Sequence, residues 1–270
     1  MLFEIVPNLS EGRNAATIAA AVDAVNATGA RVVDWSSDVV HHRSVLTIVG
    51  DATQVVDAAV ALAGVVVERI DLRQHVGVHP RIGALDVLPF VPLEGATLQD
   101  AARLAHQAGS AIWRRHRVPS FYYGAAARMA DRFLLPAIRS NLDWMPDEGD
   151  VIRHASAGAI AIGARDVLIA FNIELSGSDL SPARRIARAI RERDGGLRSL
   201  RALALPRGDR VQVSLNVTDY AATPLYRIVE LVRELAAQLD VELLGCELIG
   251  CLPLAAVEAS AAYYLGVTKL

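Results

Sequence analysis

Apolar and polar positions along the chain switch repeatedly between a period of two and a period of 3.6. Residues 2–9 "LFEIVPNL", 30–35 "ARVVDW" and 43–50 "RSVLTIVG" read as strands. Between and after them, "AATIAAAVDAVNAT" and "DATQVVDAAVALAGVVVERI" carry helical spacing, the second opening on Asp51 as an N-cap. "ALDVLPFVPL" is a strand whose Pro89 and Pro92 predict an edge position or a strand end. A helix capped by Thr97 follows over 97–116, then a short strand, "PSFYYG", and a polar, turn-rich loop over 140–153.

A second unit begins near residue 176. "SGSDLSPARRIARAIRERDGG" is a capped helix ending on two glycines, and "RVQVSLNVTDY" alternates Val211, Val213, Leu215 and Val217 as a half-covered strand does. Thr223-Pro224 supplies a cap and a first-turn proline for a helix with Leu225, Ile228, Val232, Leu235 and Leu239 on one face. "VELLGCELIGCLPL" returns to strand and "AAVEASAAYYL" closes with a helix. The order of elements predicts an α+β chain of two units, 1–175 and 176–270, with helices on one face of each sheet.

Composition narrows the function class. With 270 residues, 53% of them hydrophobic, the chain can bury two sizeable cores. A net charge of −3 argues against a general nucleic-acid or anionic-membrane binder. No apolar run reaches membrane-span length, and the first residues do not read as a signal peptide. Cys246 and Cys251 have neither CxxC nor CxxH spacing and are expected as buried thiols in a reducing cytoplasm.

Candidate chemistry gathers at strand mouths. His41 and His42 precede one strand, His75 and His79 another, and His154 follows the polar loop, whereas His106 and His116 read as surface residues of a helix. Pro80 biases His79 to extended backbone, Gly77 permits a sharp path, and Arg81 adds a fork of donors suited to carboxylates. Such a histidine is an acid/base group beside an anion clamp, or else a turn residue bonded to backbone carbonyls. His41, His42, His75, His79 and Asp86 are the residue types of a zinc site, but Gly77 and Pro80 break the helix that HxxxH requires. "ASAGAIAIGAR" at 155–165 is a loose phosphate cradle or a small-residue strand under a helix. The arginines of "RRIARAIRERDGGLRSLR" form a solvated face or a site for a poly-carboxylate tail.

Five segments, "VPNLSEGRN" (6–14), "HVGVHPRIGALDVLPFVP" (75–92), "YYGAAAR" (122–128), "AIGARDVLIAFNIEL" (161–175) and "SLNVTDYAATPLYRIVELV" (214–232), resemble in sequence and order the glutamate formimidoyltransferase family, the formiminotransferase part of formimidoyltransferase-cyclodeaminase. The resemblance implies two ferredoxin-like α/β subdomains with mixed sheets, a cytoplasmic homodimer, and no cyclodeaminase activity. It implies transfer of a formimino group from N-formimidoyl-L-glutamate to N5 of tetrahydrofolate, a co-substrate, in histidine catabolism and without a metal. The family's catalytic histidine, the one before Pro-Arg, corresponds to His79. Its folate-binding stretch corresponds to Gly149, Asp150, Val151, Ile152, Arg153, His154, Ala155, Ser156, Ala157 and Gly158. His75 then orients His79 or shares its proton, and Arg81, Arg43 and His42 are candidates for holding substrate carboxylates. Three positions depart from the family: Val78 where Glu is usual, His42 where Asn is common, and Ala157 where an aromatic is common. Two alternatives stay open, the same fold acting on another one-carbon or amide-like substrate, and a non-catalytic folate or carboxylate binder.

Overall fold

The computed structural model describes residues 1–39, 41–76, 80–141 and 143–267. In chain order the first unit contains β1 (Phe3–Ile5), β2 (Asn8–Leu9), α1 (Ala15–Asn26), β3 (Arg31–Asp38), β4 (Arg43–Gly50), α2 (Ala52–Arg69), β5 (Leu85–Pro92), α3 (Leu98–His116), β6 (Ser120–Gly124), α4 (Leu135–Ser140) and β7 (Ile160–Ala164). The second contains β8 (Ile169–Leu175), α5 (Leu180–Ile190), β9 (Leu200–Arg207), β10 (Arg210–Val217), α6 (Leu225–Ala237), β11 (Leu243–Ile249) and α7 (Leu254–Leu265).

In the first unit β1 and β2 are halves of one strand interrupted at Val6 and Pro7, and both lie between β4 and β5. The sheet therefore runs β3-β4-β1/β2-β5-β7-β6, antiparallel except where β7 pairs with β5 and β6. Its first part is a β-α-β-β-α-β unit in which the fourth strand lies beside the first, the ferredoxin-like arrangement. The second unit repeats that plan as β11-β8-β10-β9, antiparallel throughout. The α+β reading and the shared plan both hold, but helices do not keep to one face of the first sheet, because α4 packs on the face opposite α2 and α3.

Local chemistry sets the element ends. Asp51 accepts the Thr53 and Gln54 N–H groups at 2.9 Å, and Gln54 returns the bond to the Asp51 N–H, so α2 starts on a closed capping box. Leu62, Val66, Leu104 and Ile112 of α2 and α3 meet Ile5, Ile48, Leu88 and Phe90 of the sheet in one core. On the opposite face α4 covers Val87, Phe121, Tyr123 and Ala161 through Ile138 and Leu135, so the β5-β7-β6 region is buried on both sides. A separate core joins Ile173, Val213 and Leu215 to Ile186 and Ile228.

Several expectations need correction. The units divide between Asp166 and Val167 instead of at 175, because β8 pairs along its length with β10 and β11. β5 is an interior strand despite its prolines: the Pro89 carbonyl accepts the Val6 N–H at 3.2 Å, so its nitrogen faces the β1/β2 break, where no ladder bond is needed. Thr223 does not cap α6, since its hydroxyl donates to the Arg198 carbonyl at 2.6 Å. β8, β9 and α4 were not predicted. Cys246 and Cys251 are exposed, on and just after the edge strand β11, and not buried. Among the described residues no helix is long and apolar enough to cross a membrane.

Candidate functional site

One end of the first sheet collects the polar segments. There β2 and β3 end while β4, β5 and β7 begin, as the pairings Leu9 with Ser44, Leu9 with Leu85, and Asp38 with Arg43 require. The backbone of 82–84 is zipped between two distant segments. On one side the Ser10 hydroxyl donates to the Gly83 carbonyl at 2.7 Å and the Ser10 N–H to Ala84 at 2.8 Å. On the other, the Ala84 N–H reaches the Ala157 carbonyl at 2.9 Å and the Ala159 N–H reaches Ile82 at 3.0 Å. That closeness requires glycine at 158: its φ is +71°, and a Cβ there would stand 2.2 Å from the Ile82 carbonyl oxygen.

The β3–β4 turn is fastened to the 10–14 loop by His42, which adopts left-handed backbone at φ 51°. Its Nδ1 accepts the Gly12 N–H at 3.0 Å, so that nitrogen carries no proton, and the ring is the neutral tautomer protonated on Nε2. Glu11 Oε1, 3.4 Å from Nδ1, is therefore no ion-pair partner; it accepts the Arg13 and Asn14 N–H groups instead. The His42 ring lies on His75, with centroids 4.1 Å apart. Arg81 places a guanidinium nitrogen 2.8 Å from His75 Nδ1 and 2.6 Å from Nε2, and its donors also reach the carbonyls of His41 at 3.2 Å and His42 at 3.4 Å. A permanent cation can only donate, so His75 accepts, and its other bond goes to the Ser10 backbone. Burial lowers the pKa of both rings; Arg81 adds to the effect, and at His42 the Glu11 carboxylate opposes it.

A second layer lies beneath. Asp86, 2% exposed, accepts the Ile82 N–H at 2.7 Å and an Arg139 donor at 2.6 Å, and Arg43 stands 3.6 Å away. Arg43 also donates to Asn8 Oδ1 at 3.1 Å, and burial brings its pKa down to about 10 against the pull of Asp86. Among the described residues at this end, Arg13, Arg43, Arg81 and Arg139 stand against Glu11, Asp86 and Asp38, the last with its carboxylate 2.9 Å from His41 Nδ1. A positive excess beside neutral rings suits an anionic ligand.

The predicted residues divide accordingly. His42, Arg43, His75 and Arg81 come together, while His79, Gly77 and Val78 lie outside the described residues. The 149–158 stretch starts at Gly149, whose Cβ position would be 3.1 Å from Trp113 and Pro119, and ends against Gly83. Asp150, Val151, Ile152 and Arg153 are exposed and Gly149, His154, Ser156 are partly so, but Ala157 is buried in the main core and presents no side chain outward. Ala155 is exposed, and the His154 ring accepts the Ser156 and Ala157 N–H groups at 3.3 and 3.1 Å, closing the turn on itself. The 160–164 tract is the small-residue strand β7, and Arg184 and Arg188 lie exposed on α5. His106 and His116 are not plain surface residues, since each bonds a backbone carbonyl, of Ala126 at 2.8 Å and Val60 at 3.1 Å.

Of the zinc candidates, His42, His75 and Asp86 are engaged as described, and no three metal-ligating side chains converge among the described residues. Ser10, Glu11, Gly12 and Arg139 were given no role from the sequence. The available signals were a polar "SEGRN" run between strand and helix, and a lone carboxylate in an apolar strand.

Comparisons with known proteins agree on one family. The description "Formiminotransferase domain, N-terminal subdomain" matches residues 2–165, and "Formiminotransferase domain" matches residues 170–270. A glutamate formimidoyltransferase of Thermoplasma acidophilum is 40% identical, over 98% of this chain and 92% of its own. Another, of Streptococcus pyogenes serotype M1, is 37% identical over 98% of this chain and 94% of its own. A formimidoyltransferase-cyclodeaminase of Rattus norvegicus is 36% identical over all of this chain but 53% of its own.

Proposed function

The chain belongs to the formiminotransferase family of transferases, and on that premise we propose that it moves a formimino group from N-formimidoyl-L-glutamate to N5 of tetrahydrofolate. The observation that carries this reading is the convergence, at one sheet end, of segments 8–14, 41–44, 72–75, 80–86 and 154–159, with arginines in excess around neutral histidines.

In the proposed reaction N5 attacks the formimidoyl carbon, the tetrahedral adduct forms, and its bond to the glutamate nitrogen breaks. N5 gives up a proton and the departing amine takes one, so a single base that returns what it took balances the step. His79 has that role. His75, with Arg81 and Ser10 on its nitrogens, is a brace for the His42 ring and not a second proton carrier. Arg81 and Arg43 draw the substrate carboxylates, and His42 offers its Nε2–H to the same groups. Folate lies along 149–156, where the exposed residues are; with Ala157 in the core, any stacking surface for the pterin comes from another residue. The enzyme works in the cytoplasm as a homodimer and needs no metal, which sedimentation equilibrium and an assay in chelator test.

The decisive assay mixes the two substrates and follows 5-formimino-tetrahydrofolate. His79→Ala is expected to lower kcat by about 10²–10⁴-fold while tetrahydrofolate binding, read by calorimetry, stays the same. Wild-type protein that binds tetrahydrofolate without turnover would favour the binder. Turnover of another amide-like donor would favour the altered substrate.

A further inference from the structure

Asp86 is an anomaly in "LDVLPFV". It puts a carboxylate at the second position of a strand buried on both faces, where every neighbour in sequence is apolar. Accepting the Ile82 N–H needs only a neutral oxygen. The charge is called for by the two guanidiniums: Arg139 from α4 on one sheet face and Arg43 from the start of β4. Arg43 in turn holds Asn8 Oδ1, so one chain of contacts, Arg139–Asp86–Arg43–Asn8, crosses β5, β2 and β4. The Tyr123 hydroxyl, with its pKa pushed up to about 12 mainly by burial, and Arg81 also feel this carboxylate. Ile82, whose N–H Asp86 fixes at 2.7 Å, lies three residues past His79, and Pro80 stiffens the stretch between them.

We propose that Asp86 is a positioning residue for formimino transfer: by bonding the Ile82 backbone and balancing Arg43 and Arg139, it sets the direction of the segment that carries His79. The inference rests on the functional reading above. Asp86 itself touches no substrate in this scheme. Its loss acts on the alignment of reacting groups, where small displacements are costly, more than on binding.

The test compares wild type with Asp86→Asn, which keeps shape and an acceptor for Ile82 but removes the charge. Expected are a cooperative melt, a KM for tetrahydrofolate within about threefold of wild type, and a kcat lower by about thirtyfold. The His79 ring, titrated by NMR, is expected to shift to lower pKa by about half a unit as the local positive excess grows. Asp86→Asn with Arg139→Met restores the charge balance and recovers at least about fivefold of the lost kcat. A kcat within threefold of wild type, or a loss carried by the KM for tetrahydrofolate, overturns the proposal. If Asp86→Asn does not fold, the double variant is measured instead, and a kcat within threefold of Arg139→Met alone overturns the proposal. Wild-type protein that transfers no formimino group sinks the functional reading, and the His79 titration then decides the positioning role alone: an unmoved His79 titration overturns it.

Discussion

The two units share one β-α-β-β-α-β plan and use it differently. In the second, the open sheet face carries exposed ion pairs between strands, Arg207 with Glu247 at 2.8 Å and Arg210 with Glu174 at 3.2 Å, and Thr223 is its only buried polar residue among those described. In the first, Ser10, Glu11, Ser44, Asp86 and Arg132 are all buried; Ser10, Ser44, Asp86 and Arg132 each bond a group far away in sequence, while the Glu11 carboxylate closes its own loop on the Arg13 and Asn14 N–H groups. All seven histidines of the chain belong to the first unit. The first unit breaks its strand at Val6 and Pro7, whereas the strands of the second pair along their length with one bulge in β11; left-handed non-glycine residues occur in both, His42 and Arg117 in the first and Ser199 and Asp240 in the second. A shared topology thus yields one unit where buried polar groups fasten a broken strand and its loops, and another whose strands alternate with little interruption.

The hardest way to press on that contrast is to add one methyl to a left-handed glycine in each unit. Gly158→Ala drives a Cβ into the Ile82 carbonyl at 2.2 Å and is expected to cost about 3 kcal/mol or more, with loss of turnover. Gly208→Ala, at φ +64° in the β9–β10 turn, has nothing within 4 Å and should cost about 1 kcal/mol with activity intact. Urea unfolding of both variants checks the ratio. Equal costs would mean that the crowding at 158 relaxes freely and that the zipper is not rigid.

A gentler comparison deletes one buried hydroxyl from each unit. Ser10→Ala removes the bond to the Gly83 carbonyl, and Thr223→Val removes the bond to Arg198. Each should cost about 1–2 kcal/mol, since each leaves a backbone carbonyl short of a donor. Only Ser10→Ala should lower kcat, because only that carbonyl belongs to the segment following His79. Matched stability losses with matched kcat values would erase the division of labour.

How much of this was legible in the sequence follows the same contrast. Alternation in 210–217 and the caps at Asp51 and Thr97 report local physics, and the observed β10, α2 and α3 agree with them. β9 was missed because its "LRALALPR" carries Pro206 one residue from its end and continues an arginine-rich run, which hides the alternation. At the site, the sequence singled out His75, Arg81 and His42 by type and spacing. Asp86 was noticed only as a metal ligand, and Ser10 and Arg139 not at all. Their meaning lies in contacts 73 and 53 residues away along the chain, and no local window spans such distances. The resemblance located the motif-bearing stretches, but it could not tell that Ala157 faces the core while Val151 and Ile152 face outward.

The smallest effect expected is also the most selective, because it acts through groups the second unit lacks. The pKa values of His42, His75 and His116 are held below the ordinary value mainly by burial. A histidine that binds its proton less readily in the folded chain than in the unfolded one stabilises the fold above its unfolded pKa, near 6.5, and that contribution is lost as pH falls through the folded value. Stability of the first unit should therefore decline from pH 7 towards pH 5, while the second, having no histidine, stays level until its carboxylates titrate. Protonating His42 on Nδ1 also turns the acceptor of the Gly12 N–H into a donor, so the 10–14 loop and the β3–β4 turn should open first. Hydrogen exchange, corrected for the intrinsic pH dependence, is expected to show protection lost at 8–14 and 41–50 but not at 200–217. His42→Asn, whose amide oxygen can still accept from Gly12 and which tolerates left-handed backbone, should make that pH response shallower. An unchanged slope in that variant would mean that His42 is not what couples protons to the loop, and an equal loss at 200–217 would mean that the two units do not respond to acid separately.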